Sequence, residues 1–339
     1  MKRLKLTLEL RSALLTPFQS DTLFGHLCWA IRYGASEERL LKFLGQYAHA
    51  PPLLLTAAFP EGFLPQPVLP PLTYSETTQL ARERYLDPKL GEKEPMRRMV
   101  EDLKRVRHHD LLALAQWKQV VRDLSPLALA RAALDAAESR GIEETVTRTA
   151  VDRLTNSADK GQLFDHAETF YWRDGHPEKF NLWLNLDEQQ VTAREVYDWF
   201  KIIEATGFGK RKSSGAGNVR VVTPFEEFAR NDADLPADAL DANAFVTLSS
   251  YVPRADDPVR GAYHLLIKRG KLGGEWATSA NVWKKPLLMF APGSLFLHNG
   301  EPRTHYGGLI SDIHPNNPCI AQYAYAFPVG ARVTQGVSA

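Results

Sequence analysis

Residues 193–223 read AREVYDWFKIIEATGFGKRKSSGAGNVRVVT, a helix, a glycine-rich basic loop and a strand in succession. Thr192 and Glu195 have the spacing of a capping box, which marks a helix start. Four apolar residues at helical spacing give this helix a buried stripe: Val196, Trp199, Phe200 and Ile203. Gly207 ends the helix, and 218–223 predicts a strand. The stretch therefore predicts a helix that returns to a sheet through an unusual loop.

The start of the chain predicts a strand followed by a second helix. Apolar and polar residues alternate as in a strand with one buried face, the apolar ones being Leu4, Leu6, Leu8 and Leu10. Ser20 or Asp21 is expected to cap the helix that follows, and Gly34 to end it. Its apolar stripe consists of Leu23, Phe24, Leu27, Cys28 and Ile31.

Another alternating strand lies at 180–186, and a proline-rich strand fragment lies within 51–72. The resulting order is strand, helix, broken strand, strand, helix, strand. That order is typical of a ferredoxin-like domain, which is also the fold of RRM domains.

The segment 72–141 interrupts this order with charged stretches of helical period, at 96–106, 111–124 and 128–139. We interpret it as a helical insertion, because strands resume on its far side. Two alternating runs, Thr145–Thr155 and Gly161–Trp172, then predict a β-hairpin over about 145–172 with its turn at Asn156–Lys160.

The sequence predicts an α+β protein with two ferredoxin-like (RRM-like) domains. The first covers 1–225 and carries the helical insertion, the hairpin and the glycine-rich loop 207–217. A segment rich in Asp, Ala and Pro at 225–244 reads as a linker. The remainder, 240–339, has strand and turn patterns and predicts a smaller RRM-like domain.

Composition is that of an ordinary globular protein. The 339 residues are 44% hydrophobic and 24% charged, with a net charge of +1. Cys28 and Cys319 lie too far apart to indicate a metal site or a disulfide framework, so we expect reduced thiols and no metal. With no signal peptide or run of 18 apolar residues, we expect a soluble, cytoplasmic chain without a membrane contact.

The loop 207–217 carries the chemistry. It combines glycines, consecutive cations and two serines: Gly207, Gly209, Lys210, Arg211, Lys212, Ser213, Ser214, Gly215 and Gly217. Glycine permits close backbone approach, free N–H groups bind phosphate oxygens, and Lys and Arg add the attraction that dominates nucleic-acid affinity. A Walker loop needs glycine before its Lys-Ser pair, where this chain has Arg211, and Lys212 stands where a dinucleotide fingerprint needs its third glycine. The loop therefore predicts RNA or phosphate binding.

The loop resembles the glycine-rich loop of the RAMP superfamily, the RRM-like proteins of CRISPR systems. Further segments resemble the subunit that caps the guide-RNA 5′ end in type III-A (Csm) complexes. They are Ser20–Gly25 with Leu27–Ala30, Val151–Thr155 with Gly161–Phe164, and Gly307–Ile310 with Gln322–Phe327.

The resemblance implies a subunit without a cofactor or a catalytic role. It implies that loop 207–217 binds the 5′ handle of the CRISPR RNA (crRNA), and that Arg153 and the hairpin lie near the guide–target RNA duplex. It also implies two protein partners, the large subunit with polymerase-like palm domains and the first RAMP subunit of the backbone filament.

Two alternatives stay open from the sequence. Some RAMP relatives are metal-independent endoribonucleases with a histidine base near the first helix, and His26 stands at such a position, off the apolar stripe. We expect His26 to be a surface or interface histidine instead. The other alternative is an assembly subunit whose loop contacts protein only.

Overall fold

The computed structural model of the chain describes residues 1–85, 93–107, 109–136, 142–152, 154–155, 157–173, 175–230, 234–235, 241–317 and 320–335. Within them, the α-helices are α1 Ser20–Gly34, α2 Glu37–Gln46, α3 Tyr74–Arg84, α4 Glu94–Val106, α5 Leu114–Val120, α6 Pro126–Leu134, α7 Ala193–Thr206 and α8 Phe225–Phe228. No helix among these described residues is both long and apolar enough to cross a membrane.

The strands of the first two thirds of the chain are β1 Lys2–Leu10, β2 Leu53–Leu55, β3 Phe59–Pro60, β4 Phe63–Pro65, β5 Leu111–Ala113, β6 Ile142–Asp152, β7 Ser157–Phe170, β8 Trp172–Arg173, β9 His176–Pro177, β10 Lys179–Leu186 and β11 Val219–Val221. Those of the last third are β12 Ala244–Thr247, β13 Gly261–Ala262, β14 Leu265–Lys268, β15 Leu287–Phe290, β16 Leu295–Leu297, β17 Tyr306–Ile310, β18 Gln322–Ala326 and β19 Pro328–Ala331.

The first sheet has the order β11-β1-β10-β2, with β3 also paired to β10, and every pairing is antiparallel. Helices α1 and α7 contact each other. The predicted apolar face of β1 is buried, since Leu4 and Leu6 have no exposed surface. Each fully buried leucine contributes roughly 1.5–3 kcal/mol of transfer free energy. The strands and helices predicted around the glycine-rich loop are therefore present, and the sheet brings the end of β1 beside the start of β11.

Strand β10 differs from the predicted half-buried strand, because both of its faces are covered. Asn181, Trp183 and Asn185 lie on the face predicted to be solvated, yet all three are buried. Asn181 accepts a hydrogen bond from the Thr7 hydroxyl at 2.8 Å, which compensates its burial. The Trp183 indole N–H donates to Asp234 at 3.3 Å, and Asn185 accepts from the Arg3 side chain at 3.2 Å, so partners distant in sequence lie on this face.

The last third forms a four-stranded antiparallel sheet, β13-β16-β12-β19, beside the two-stranded pairs β14-β15 and β17-β18. Residues from both predicted domains share one hydrophobic cluster, including Leu4, Leu184, Tyr323 and Val329. Among the described residues of 241–335 the only helical segment is the 3-10 turn Gly274–Thr278, so the second RRM-like domain stays a prediction.

The predicted insertion is largely helical, from α3 to α6, and has a small core of its own that includes Leu80, Met99 and Ala133. Leu111–Ala113, predicted as the start of a helix, is instead strand β5 and pairs with β4. Leu112 opposite Leu64 is fully buried, so this pairing prevails over the local helical period.

The predicted hairpin is formed by β6 and β7, with Ile142 opposite Phe170 and an irregularity between Thr149 and Val151. The predicted turn at Asn156–Lys160 is wrong, because β7 already begins at Ser157. Leu154 and Thr155 lie between the two strands, and Arg153 is outside the described residues.

Ser20 and Asp21 are not the helix caps that the sequence predicts. The N-cap of α1 is Gln19, which makes no side-chain cap hydrogen bond. The Ser20 hydroxyl accepts a hydrogen bond from the Ser250 N–H at 3.2 Å, and Asp21 lies 2.9 Å from the Lys268 Nζ. Both side chains are buried against the last third of the chain. Donors there, and not the N–H groups of the first helical turn, are their partners.

Candidate nucleic-acid interface

The glycine-rich loop turns through several left-handed backbone positions. Gly207 (φ 76°) ends α7, and its N–H donates to the Ile203 carbonyl at 2.8 Å. Gly209 and Gly217 also have positive φ, at 75° and 64°. Arg211 is left-handed too, at φ 57°, and precedes the 3-10 turn Lys212–Ser214. Such a path suits glycine, and it packs the two ends of the loop together.

The inner side of the loop is fastened to the segment between β1 and α1. The Lys210 N–H donates to Thr16 Oγ1 at 3.1 Å, and the Gly217 N–H donates to the Ala13 carbonyl at 2.8 Å. The Asn218 N–H donates to the Ser12 hydroxyl at 2.9 Å. These bonds hold both arms of the loop in a fixed position before any ligand arrives.

Phe208 anchors the loop in the core, with 1% of its surface exposed. Its ring centroid lies 4.7 Å from that of Phe18 and 4.6 Å from that of His26. A buried phenylalanine just before the three consecutive cations keeps the backbone close to α1 and leaves the polar residues outside.

Two glycines have no room for a side chain. A Cβ on Gly217 would stand 1.8 Å from the Phe208 carbonyl oxygen, and one on Gly209 would stand 2.7 Å from the Thr16 Cβ. Gly215 has φ 92° but faces open space. Close packing therefore requires the first two, whereas Gly215 serves only the turn.

The outer side of the loop carries its polar groups. Lys210, Lys212, Ser213 and Ser214 are exposed, and Arg211 is half-buried. Within the described part of the chain, the N–H groups of Lys212 and Ser213 have no hydrogen-bond partner. They follow the left-handed Arg211, and successive N–H groups in such a turn form a concavity suited to an anion. The arrangement can bind phosphate oxygens through backbone donors, hydroxyls and cations together.

His26 packs under the loop as an acceptor. Its Nε2 receives a hydrogen bond from the Gly209 N–H at 3.0 Å, so this nitrogen carries no proton. Burial, with a smaller effect of the nearby Lys212 charge, lowers the pKa of His26 to about 4. The expectation of a surface or interface histidine stays a prediction; within the chain, the ring lies between α1 and the loop and positions the loop.

The predicted loop residues differ in exposure: 210 and 212–215 are exposed, Gly207, Gly209 and Arg211 are partly buried, and Gly217 is buried. Sequence reasoning missed the residues that hold them: Ser12, Thr16, Phe208 and the acceptor role of His26. The apolar Phe208 between two glycines was the available signal for a buried anchor. Ser12 and Thr16 act through long-range contacts that no local pattern reveals.

No protein-family model matches the sequence, and no curated protein matches it either. Solved structures share its fold over almost the whole chain. The crystal structure of a Csm1–Csm4 cassette in complex with cA4 matches with a TM-score of 0.58 and 16% identity, covering 98% of this chain and 100% of the matched chain. The cassette in complex with AMPPNP matches with a TM-score of 0.55, again with 16% identity and the same coverage.

A Csm3–Csm4 subcomplex of the type III-A CRISPR–Cas interference complex matches with a TM-score of 0.52 and 15% identity, over 98% of this chain and 100% of that chain. The matches support a Csm4-like fold.

Proposed function

We propose that this chain is a RAMP subunit of a type III CRISPR effector complex, and that its glycine-rich loop binds the 5′ handle of the crRNA. The observation that carries the proposal is the division of the loop into a fastened inner side and an outer side of cations, hydroxyls and unpaired N–H groups. The fold shared with Csm4 chains in type III-A assemblies supports the assembly part of the proposal.

RNA fits the outer side of the loop better than a small anion does. Lys210 and Lys212 make no ion pair within the described residues, so their charges are available to a ligand. A chain of phosphates can occupy two cations and an N–H concavity at once, whereas a single anion occupies one of them. Single-stranded RNA is held in this way, through its backbone with bases left free.

The proposal also includes the two protein partners and the duplex contact. A large subunit and a backbone subunit would flank the chain. The matched structures pair a Csm4 chain with Csm1 in one assembly and with Csm3 in another, which supports two separate protein contacts. The β6–β7 hairpin would reach toward the guide–target duplex, because its strands of 11 and 14 residues extend roughly 35 Å or more. Arg153 remains part of this proposal from its sequence position.

We further propose that the chain catalyses no reaction. The endoribonuclease alternative requires His26 as a general base within reach of a ribose hydroxyl. Its Nε2 instead accepts the Gly209 N–H, and the lowered pKa leaves a weak base. A positioning role accounts for both observations.

The test is binding of labelled repeat-handle RNA to the full chain over a series of salt concentrations. Lys210→Ala/Arg211→Ala/Lys212→Ala should weaken binding by at least about tenfold and make the salt dependence shallower, by about 2 in log–log slope for three lost phosphate contacts on a single strand. Arg97→Ala/Arg98→Ala/Lys104→Ala removes the same charge from α4, where Arg97 and Arg98 are paired with Glu94, and should leave binding nearly unchanged.

Three other outcomes of this test would each support a different explanation. Equal loss in both triple variants would mean that only net charge matters. Unchanged binding in the loop variant would remove the loop from the RNA site and favour a protein contact. Shortened RNA with the wild-type chain, and intact RNA with His26→Ala, would identify the endoribonuclease.

A further inference from the structure

Strand β14 presents its apolar residues to solvent. Tyr263, just before the strand, is 42% exposed, and Leu265 and Ile267 within it are 51% and 77% exposed. Within the strand, Leu265 and Ile267 alternate with Leu266 and Lys268, which are partly buried, as strand geometry requires. A strand on a protein surface ordinarily has the opposite pattern, with polar residues outward.

This orientation is fixed by Lys268, the inward residue at the end of the strand. Its Nζ lies 2.9 Å from a carboxylate oxygen of the buried Asp21 and donates to Thr22 Oγ1 at 3.0 Å and to Gln19. A shift of one residue would turn Ile267 inward, but it would also expose Lys268 and leave Asp21 without its cation. The register therefore holds the apolar residues outside.

The neighbouring strand β15 extends the same face. Leu288, opposite Ile267, is 56% exposed. Trp283, before β15, is 44% exposed, and Arg269 stands over its ring at 5.1 Å. We name Tyr263, Leu265, Ile267, Trp283 and Leu288 the ribbon face. Contiguous exposed apolar side chains of this kind indicate an interaction surface more than isolated ones do.

The rim of the ribbon face is basic. Arg269 and Lys271 make no ion pair within the described residues, while Lys285 is paired with Asp312 at 3.0 Å. A second copy of the chain would bring these cations against each other, which disfavours self-association. RNA is a poor match for the centre, because leucine and isoleucine neither stack on bases nor bind phosphates.

We propose that the ribbon face docks a protein subunit whose contact surface is apolar at its centre and acidic at its rim. This rests on the proposed function, and it assigns one of the two protein contacts to a surface separate from the RNA loop. The apolar centre supplies affinity, and the cationic rim adds orientation and salt dependence.

The experiment uses the full chain with the large subunit and the backbone subunit of its own effector complex, each titrated separately. Ile267→Glu/Leu288→Glu should weaken binding to one of the two subunits by at least about tenfold and leave binding to the other unchanged. The two introduced carboxylates would be buried in the contact, close to the acidic rim of the partner. Leu41→Glu/Tyr74→Glu, two comparably exposed apolar residues elsewhere, should change neither. Binding of handle RNA should be the same for all three chains.

A ribbon variant that retains full affinity for both subunits overturns the inference while leaving the proposed function intact. A wild-type chain that binds neither subunit contradicts both. Reversible dimerisation of the wild-type chain, abolished in the ribbon variant, would assign the face to a second copy and overturn the proposed occupant. Ile267→Ser/Leu288→Ser repeats the test without introducing charge, and it should give a smaller loss toward the same subunit.

Discussion

At the scale of single residues, His26 decides whether the glycine-rich loop stays closed on α1. It can accept the Gly209 N–H only while its Nε2 is unprotonated. Burial and the Lys212 charge keep it so by lowering the pKa of the ring to about 4. Protonated His26 would carry a hydrogen on Nε2, so this nitrogen and the Gly209 N–H would both be donors and could not bond to each other. The charged ring would also lie near the Lys212 cation.

We predict that acid destabilises the chain through this residue. An unfolded histidine titrates near 6.5, so the unfolded state takes up the proton first as the pH falls. The contribution of His26 is fully present above about pH 6.5 and is lost progressively toward pH 4, by roughly 2–3 kcal/mol. Urea unfolding at several pH values measures it, with His26→Gln as the control.

The glutamine variant keeps a side-chain acceptor that does not titrate. The difference in unfolding free energy between the two chains should therefore change across pH 6.5 to 4. A constant difference over that range would mean that His26 titrates as it does in the unfolded chain, and would contradict its role as a buried acceptor.

Candidate site residues could be named from the sequence where the signals are local. The glycines and cations of loop 207–217 were identified from composition alone, since both signals lie in eleven consecutive residues. Ser20 and Asp21 were misassigned as caps because their partners, Ser250 and Lys268, lie more than 200 positions away.

At the scale of the element, the glycine-rich loop is held in shape by hydrogen-bond acceptors outside it. The shape of the loop and its charge can therefore be changed separately. Thr16→Val keeps the volume of the side chain but removes the hydroxyl that accepts the Lys210 N–H. We predict several-fold weaker binding of handle RNA, because an unfastened loop must be ordered on binding. The log–log salt slope should stay that of the wild-type chain, since every cation remains.

Thr22→Val is the matched control and should bind RNA normally, because the Thr22 hydroxyl accepts a hydrogen bond from Lys268 and not from the loop. A shallower log–log salt slope in Thr16→Val would contradict this prediction, because it would mean that phosphate contacts themselves had been lost.

Elements were predictable where the local period of apolar residues by itself reveals the buried face, as in β1 and α7. They were not where a distant segment decides. Strand β5 replaced a predicted helix because β4 offers it a partner, and the second face of β10 is buried although its alternating pattern predicts a solvated one.

At the scale of the whole molecule, one buried polar cluster ties α1 to the last third of the chain. Asp21 contacts Lys268 and also accepts a hydrogen bond from the Gln322 side chain at 2.7 Å. We predict that Asp21→Asn lowers the unfolding free energy by about 2–4 kcal/mol, because it leaves the Lys268 ammonium without its anion. Denaturant unfolding measures this change.

Glu188→Gln is the matched control, since it breaks the more exposed ion pair with Lys2 and should cost less than about 0.5 kcal/mol. Equal effects of the two substitutions would mean that the buried cluster does not join the two parts of the fold.

The α+β fold class could be predicted because the order of strands and helices in residues 1–223 can be read from the sequence despite the helical insertion. The resemblance to RAMP proteins pointed to the fold that the solved Csm4-containing structures share. In the last third, strands could be predicted from the sequence, but the way they pair could not, because short strands that contact one another and α1 carry no local signal of their partners.

The most direct measurement is ultraviolet crosslinking of repeat-handle RNA to the full chain, with the crosslinked peptides identified by mass spectrometry. The account predicts crosslinks within residues 210–214, where the exposed cations, the serines and the free N–H groups meet. Bound RNA whose crosslinks all lie outside loop 207–217 would contradict it.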